Sequence, residues 1–132
     1  MGHTNGISGT KDGSNFYKVS MNLNFLAIQF FNKIDGLALS WGGEMFQTND
    51  GGITWKFKLN LGPAGQAIDF HFFDLNNGYA TDNSGIKKIT DNKVTTVVKV
   101  NGSYPSEMFF TDRDHGYVCS PKGFVYQYTA PK

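Results

Sequence analysis

Acidic residues and a histidine are the side chains with the clearest chemical potential in this sequence. Asp69 and His71 stand two positions apart, so on a β-strand they would share one face and could act as an acid–base pair. Asp82 and Glu107 add two carboxylates, and a glycosidase needs two such groups about 5–10 Å apart. The run 112–116, Asp-Arg-Asp-His-Gly, begins like a calcium-binding loop but lacks the third acidic ligand and the closing glutamate.

Structural roles are the stronger interpretation of these residues. The run 112–116 aligns with polar runs in two other copies of an internal repeat, so we predict a turn capped by an aspartate side chain. His71 aligns with Gln29 and Phe109, which favours a structural or channel-lining role over catalysis. The sequence therefore predicts no catalytic residue, no metal site and no cofactor.

Composition excludes several classes of protein. The chain has 132 residues, a net charge of +1, 39% hydrophobic residues and 15% aromatic residues, which argues against disorder and against nucleic-acid binding. Cys119 is the single cysteine, so the chain forms no internal disulfide and no multi-cysteine zinc site, and we expect a small core residue there. No apolar run is long enough to span a membrane as a helix. Residues 1–9 lack the features of a signal peptide, and we predict that they form a flexible leader. The sequence therefore indicates no particular cellular compartment.

An internal repeat organises the chain. The segment 30–38 matches 72–80 at a spacing of 42, and Phe72, Asp74, Gly78 and Tyr79 recur 38 positions later. Each copy contains short strands separated by glycine-containing turns, which predicts four antiparallel strands per repeat. Repeats of about 40 residues with four strands are typical of β-propeller blades. The predicted repeats cover residues 23–62, 65–101 and 104–128.

The ends of the chain are offset by one strand. The third repeat stops after its third strand, and residues 10–22 align with the end of a repeat, so they predict a closing fourth strand that completes a blade formed by the other end of a chain. We therefore expect an all-β domain over 10–132 with twelve strands, equivalent to three four-stranded blades. Because propellers have four to eight blades, the first hypothesis is a dimer that completes a six-bladed ring, in which the N-terminal strand of each chain crosses over to complete a blade of its partner. A fragment of a larger propeller, or a monomer with unusual closure, is the alternative.

One turn carries a family resemblance. Residues 48–55, Thr-Asn-Asp-Gly-Gly-Ile-Thr-Trp, resemble the Asp-box of BNR-repeat propellers, in which the aspartate staples a hairpin turn and the tryptophan packs across it. A weaker copy begins at Thr10 and Asp12. The whole repeat resembles photosystem II stability/assembly-factor-like proteins. The resemblance implies a structural role for these residues: Thr48, Asp50, Gly52, Thr54, Trp55, Thr10 and Asp12.

The same resemblance implies a function of binding or assembly. Sialidases of this family hold the substrate carboxylate with three arginines, and Arg113 is the only arginine here, so sialidase activity is not expected. The basic, arginine-containing patch of the assembly factors has no match either. The leading hypothesis is a non-enzymatic binding or assembly module whose ligand or partner the sequence does not identify, with a protein or a glycan as the candidates. The alternative is a carbohydrate-binding or glycan-processing protein that uses the channel face.

Loops at one face of the blades are the predicted ligand site. In propellers, ligands gather where strand four leads to strand one and where strand two leads to strand three. Trp41 is the most suggestive residue, because its repeat equivalent is Asn83 and the repeat does not require an aromatic ring there. The predicted binding residues are Trp41, Gln66, Asp82, Asn83, Tyr104, Glu107 and Lys122.

Overall fold

The fold is all-β and consists of antiparallel propeller-type sheets. The computed structural model describes residues 2–3, 6–10, 12–20, 23–62, 67–99 and 105–130. The chain divides into two compact units, Met1–Gly65 and Gln66–Lys132. No helix in the described residues could cross a membrane.

The first unit contains a three-stranded and a four-stranded sheet. In the three-stranded sheet the order is β1-β2-β3, and in the four-stranded sheet it is β4-β5-β6-β7. The strands are β1 (Gly2–His3), β2 (Gly6–Thr10), β3 (Phe16–Ser20), β4 (Phe25–Phe30), β5 (Gly36–Ser40), β6 (Glu44–Thr48) and β7 (Lys56–Asn60). Ile7, Phe25 and Ala38 form its buried cluster, against which Ile28 and Trp55 pack.

The second unit also contains one sheet of each size. The four-stranded sheet has the order β11-β10-β9-β8, and the three-stranded sheet has the order β12-β13-β14. The strands are β8 (Ala67–Asp74), β9 (Asn77–Asp82), β10 (Gly85–Thr90), β11 (Lys93–Lys99), β12 (Glu107–Phe110), β13 (His115–Cys119) and β14 (Val125–Thr129). Its core joins both sheets and contains Tyr79, Ile86, Met108, Phe110, Val118 and Tyr128.

All twelve predicted strands are present, as β3 to β14, and the all-β blade architecture is confirmed. Within the segment that predicts a flexible leader, residues 1–9, the structure has Gly6–Thr10 as β2, which pairs with β3 from Thr10↔Phe16 to Gly6↔Ser20. Ile7 is buried in the core of the first unit, which explains why this segment is held as a strand. β3, the predicted closing strand, thus pairs with a strand of its own chain.

A phenylalanine opposite a glycine recurs in each repeat and explains the spacing of the motif. Phe30 lies opposite Gly36, Phe72 opposite Gly78, and Phe110 opposite Gly116. A Cβ atom at any of these glycines would meet the ring of the opposite phenylalanine. The ring thus covers the backbone of the neighbouring strand, and a larger residue there would displace it.

Candidate functional site

The Asp-box turn of the first unit is held by hydrogen bonds from its own residues. The Asp50 carboxylate accepts bonds from the Thr48 hydroxyl at 2.8 Å, from the Thr54 backbone N–H at 2.9 Å, and from the Thr54 hydroxyl. These bonds from Thr54 lower the pKa of Asp50 to about 2. The Thr48 Oγ1 accepts from the Gly52 N–H at 2.9 Å, and the Trp55 indole donates to the Gly52 carbonyl at 3.0 Å. Gly51 and Gly52 both have positive φ, which explains why the turn needs two glycines.

The weaker copy at the N-terminus uses the same chemistry. Asp12 Oδ1 accepts from the backbone N–H groups of Ser14 and Asn15 at 2.9 and 2.8 Å. Together with the Asn15 side chain, these donors lower the pKa of Asp12 well below its usual range. Thr10 Oγ1 accepts from the Gly13 N–H at 2.9 Å, so the turn keeps its hydrogen bonds although Ser14 stands where the first copy has Gly52.

The run that begins like a calcium loop is a capped turn. Asp112 Oδ1 accepts from the backbone N–H groups of Asp114 and His115 at 2.8 and 3.0 Å, and His115 Nδ1 lies 2.8 Å from the same oxygen. The N–H of Asp114 and the His115 ring lower the pKa of Asp112. Within the described residues, no cluster of three or more His, Cys, Asp or Glu side chains could hold a metal ion.

Asp69 and His71 do lie on one strand, β8, but the aspartate is held by backbone groups. Asp69 Oδ1 accepts from the Phe70 N–H at 2.8 Å, and Oδ2 accepts from the Met108 N–H at 3.1 Å, which links β8 to β12. Burial raises the pKa of Asp69 despite these bonds, and burial lowers the pKa of His71. The His71 ring lies among aromatic rings, 5.2 Å from Phe73 and 6.2 Å from Phe109 between centroids. This environment suits a packing residue that stays neutral.

Asp82, a predicted binding residue, is buried and fully engaged. Its Oδ1 accepts from the Ser84 backbone and hydroxyl at 2.8 and 2.6 Å, and its Oδ2 pairs with Lys87 Nζ at 3.0 Å. Burial alone would raise the pKa of Asp82, but the bonds from Ser84 and Lys87 lower it. The carboxylate therefore shapes the turn between β9 and β10.

The other predicted binding residues lie in exposed turns or at strand ends where the structure describes them. Trp41 follows β5 and is 55% exposed, while its backbone N–H donates to Asn24 O at 2.9 Å. In the second unit Asn83, Glu107 and Lys122 are exposed. Gln66 and Tyr104 lie outside the described residues.

Sequence reasoning missed an exposed apolar surface on the last sheet. Cross-strand pairing places Glu107, Cys119 and Val125 in one row, and Phe109, Tyr117 and Gln127 in the next row of the same face. We call this the open face of β12–β14: Glu107, Phe109, Tyr117, Cys119, Val125 and Gln127. Phe109 is 62% exposed and Tyr117 is 43% exposed. The sequence does contain a signal for this exposed surface, because Phe109 aligns with the polar residues His71 and Gln29 of the other two repeats.

The preceding blade shows what normally covers such a face. Tyr79 is the repeat equivalent of Tyr117 and is only 1% exposed. Its ring stacks on Phe110 at 4.2 Å between centroids and packs edge-on against Tyr128 at 5.5 Å. Both rings come from the opposite face of β12–β14. An aromatic ring at this position is thus covered by the next sheet in one blade and open in the other.

Comparisons with known proteins agree with the fold. No family model and no curated protein matches the chain. A structure of YCF48 from Cyanidioschyzon merolae is similar, with a TM-score of 0.73 and 17% sequence identity, over 96% of this chain and 45% of that one. A second structure, titled YCF48 bound to D1 peptide, matches with a TM-score of 0.41 and 11% identity, over 90% of this chain and 70% of that one. The chain thus spans about half the length of the first structure, and that likeness establishes the fold as a β-propeller type.

Proposed function

We propose that the chain is a non-enzymatic assembly module that binds a protein through the open face of β12–β14. The observation that carries this proposal is the exposure of Phe109 and Tyr117 in one cross-strand row. Large exposed apolar patches of this kind are typical of protein-binding surfaces, and aromatic residues contribute strongly to such interfaces. The sequence resemblance to photosystem II stability/assembly-factor-like proteins agrees with an assembly role.

A second copy of the chain is the partner that we favour. Phe110 and Tyr128, which cover Tyr79 in the second unit, are themselves buried in that contact and are not available to a partner. In a symmetric dimer the open face of one copy would instead pack on the open face of the other, so that Phe109 and Tyr117 of both copies bury one another. Dimerisation by a crossing N-terminal strand is not part of the proposal, because β3 pairs with β2 in its own chain. A six-bladed ring stays a prediction of the sequence.

The glycan alternative has weaker support. It would use Asp69, Asp82 and Glu107 as reacting carboxylates. The first two accept hydrogen bonds from backbone N–H groups, and Asp82 also pairs with Lys87. Glu107 is the exposed member of the three, so the arrangement favours binding over glycoside hydrolysis.

Light scattering coupled to gel filtration tests the proposal. The wild-type chain should elute at about twice its mass of 14.6 kDa. The double substitution Phe109→Ser/Tyr117→Ser should reduce the mass to that of one chain. Tyr126→Ser is the matched control, because Tyr126 is exposed on the opposite face of the same sheet and its loss should leave the dimer intact. A monomeric wild type, or a dimer that survives the double substitution, would refute the open face as the interface.

A further inference from the structure

A cavity in the first unit, which no function described above uses, forms a second candidate site. It has a volume of about 660 Å³ and lies beside the Asp-box turn. That volume is in the range of small-molecule sites, about 300–1,000 Å³. Its apolar walls are Ile7, Ile28, Phe30, Ile34, Ile53 and Trp55.

Three of these apolar residues are exposed: Phe30, Ile34 and Ile53. Ile34 is 55% exposed in the turn before β5, and its equivalent 42 positions later, Asn76, lies in the turn before β9, so a polar residue is compatible with that turn. Ile53 is 46% exposed in the Asp-box turn, which is longer than the two-residue turn between β10 and β11. Phe30 is 43% exposed, whereas its equivalent Phe72 is buried. The first repeat thus exposes apolar side chains around a cavity at places where the second repeat has a polar residue, a covered ring or a shorter turn.

Lys33 is the residue of the cavity lining that could pair with an anion. Lys33 lines the cavity and forms no ion pair among the described residues. Asp50 also lines it, but its carboxylate already accepts bonds from Thr48 and Thr54. An acidic group on a ligand would therefore find one available ammonium group. We propose that this cavity binds a small amphipathic acid, with an apolar ring or chain against Phe30, Ile34 and Ile53 and an acidic group near Lys33.

Energy transfer from Trp55 reports binding of a probe, and the substitutions below assign that binding to the cavity. Trp55 lines it and Trp41 does not, so the variant Trp41→Phe leaves one tryptophan as the donor. The probe is 8-anilinonaphthalene-1-sulfonate, which has an apolar ring system and one acidic group. We expect saturable energy transfer from Trp55 to the probe, and displacement of the probe by 4-phenylbutyrate. The neutral analogue 4-phenylbutanol has the same apolar body and should displace it about five-fold less well.

Two substitutions separate the two parts of the proposed site. In the Trp41→Phe background, Lys33→Gln should lower the affinity for 4-phenylbutyrate about five-fold and change the affinity for 4-phenylbutanol less than two-fold. Ile34→Asn introduces the residue type that the second repeat has at this place. It should lower the affinity for both ligands about ten-fold, because each ligand loses apolar contact. The matched controls are Lys93→Gln and Phe16→Ser, which change an exposed lysine and an exposed apolar residue outside the cavity.

The experiment is independent of the proposed dimer, because it reads a site in the other unit. Absence of energy transfer from Trp55 at saturating probe would overturn the site. Equal displacement by the acid and the alcohol would overturn the role of Lys33, as would an equal effect of Lys33→Gln and Lys93→Gln. Near-ultraviolet circular dichroism of each variant checks that weaker binding does not come from loss of packing. A short neutral apolar peptide that displaces the probe better than 4-phenylbutyrate would also contradict a small acid as ligand.

Discussion

Replacing the glycine opposite a buried phenylalanine should destabilise the second unit much more than the same change in the first unit. In Gly78→Ala the added Cβ would clash with the Phe72 ring and lie 2.7 Å from the His71 carbonyl oxygen. Phe72 is 1% exposed and lies in the packed interior, so the ring has little room to move. In Gly36→Ala the new Cβ would lie 2.9 Å from the Phe30 ring, and that ring is 43% exposed and can move outward.

The size of the effect follows from two opposing contributions. Overpacking of a buried site costs about 1–3 kcal/mol. The loss of glycine's conformational freedom in the unfolded chain stabilises the folded state of both variants by about 0.4–1 kcal/mol. We therefore expect Gly78→Ala to lower the free energy of unfolding by about 1–2 kcal/mol, and Gly36→Ala to change it by less than about 0.5 kcal/mol.

Urea unfolding followed by far-ultraviolet circular dichroism measures both variants. With a slope of about 2 kcal/mol per molar urea, Gly78→Ala should lower the midpoint by about 0.5–1 M. Gly36→Ala is the matched control and should leave the midpoint within about 0.3 M of wild type. Tryptophan fluorescence gives a second signal for Gly36→Ala, because Trp41 and Trp55 both lie in the first unit. Equal losses of stability in the two variants would refute the argument that burial of the opposite ring decides the cost.

Three further predictions concern turns and charges. The pKa of Asp50 lies below its ordinary value of 3.8, so the stabilisation from this carboxylate should be complete above about pH 4 and lost towards pH 2. The melting temperature of the wild type should therefore fall more steeply between those pH values than the melting temperature of Asp50→Asn. Asp82→Ala removes the carboxylate that pairs with Lys87 in a buried turn, so it should lower the free energy of unfolding in urea by about 3 kcal/mol. Arg113→Ala removes an exposed ion pair with Asp74 and should lower that free energy by less than about 1 kcal/mol. Similar losses in the two variants would contradict this reasoning. Asn92 has a φ of 66° in the two-residue turn between β10 and β11, a backbone conformation that glycine adopts easily and valine does not. Thermal melting should therefore show Asn92→Gly close to wild type and Asn92→Val less stable by about 1–2 kcal/mol. A valine variant as stable as wild type would refute this strain.

The sequence by itself determined the strands and turns of this protein. Glycine, asparagine and aspartate at fixed places in the repeat mark the turns, and alternating apolar residues mark the strands between them, because both signals come from local backbone geometry. The Asp-box follows the same logic, since every bond that Asp50 accepts comes from a residue within four positions. Residues 6–10 were missed because glycine and serine give that strand a weak pattern.

Only the tertiary structure decided which repeated residues are covered. Phe30 and Phe72 occupy the same place in the repeat, as do Tyr79 and Tyr117, yet one member of each pair is buried and the other is exposed. The physical reason is that a side chain's burial depends on the neighbouring sheet, which the residue's own strand does not specify. The open face of β12–β14 and the cavity beside the Asp-box both arise from that difference, so neither candidate site could be located from the repeat alone.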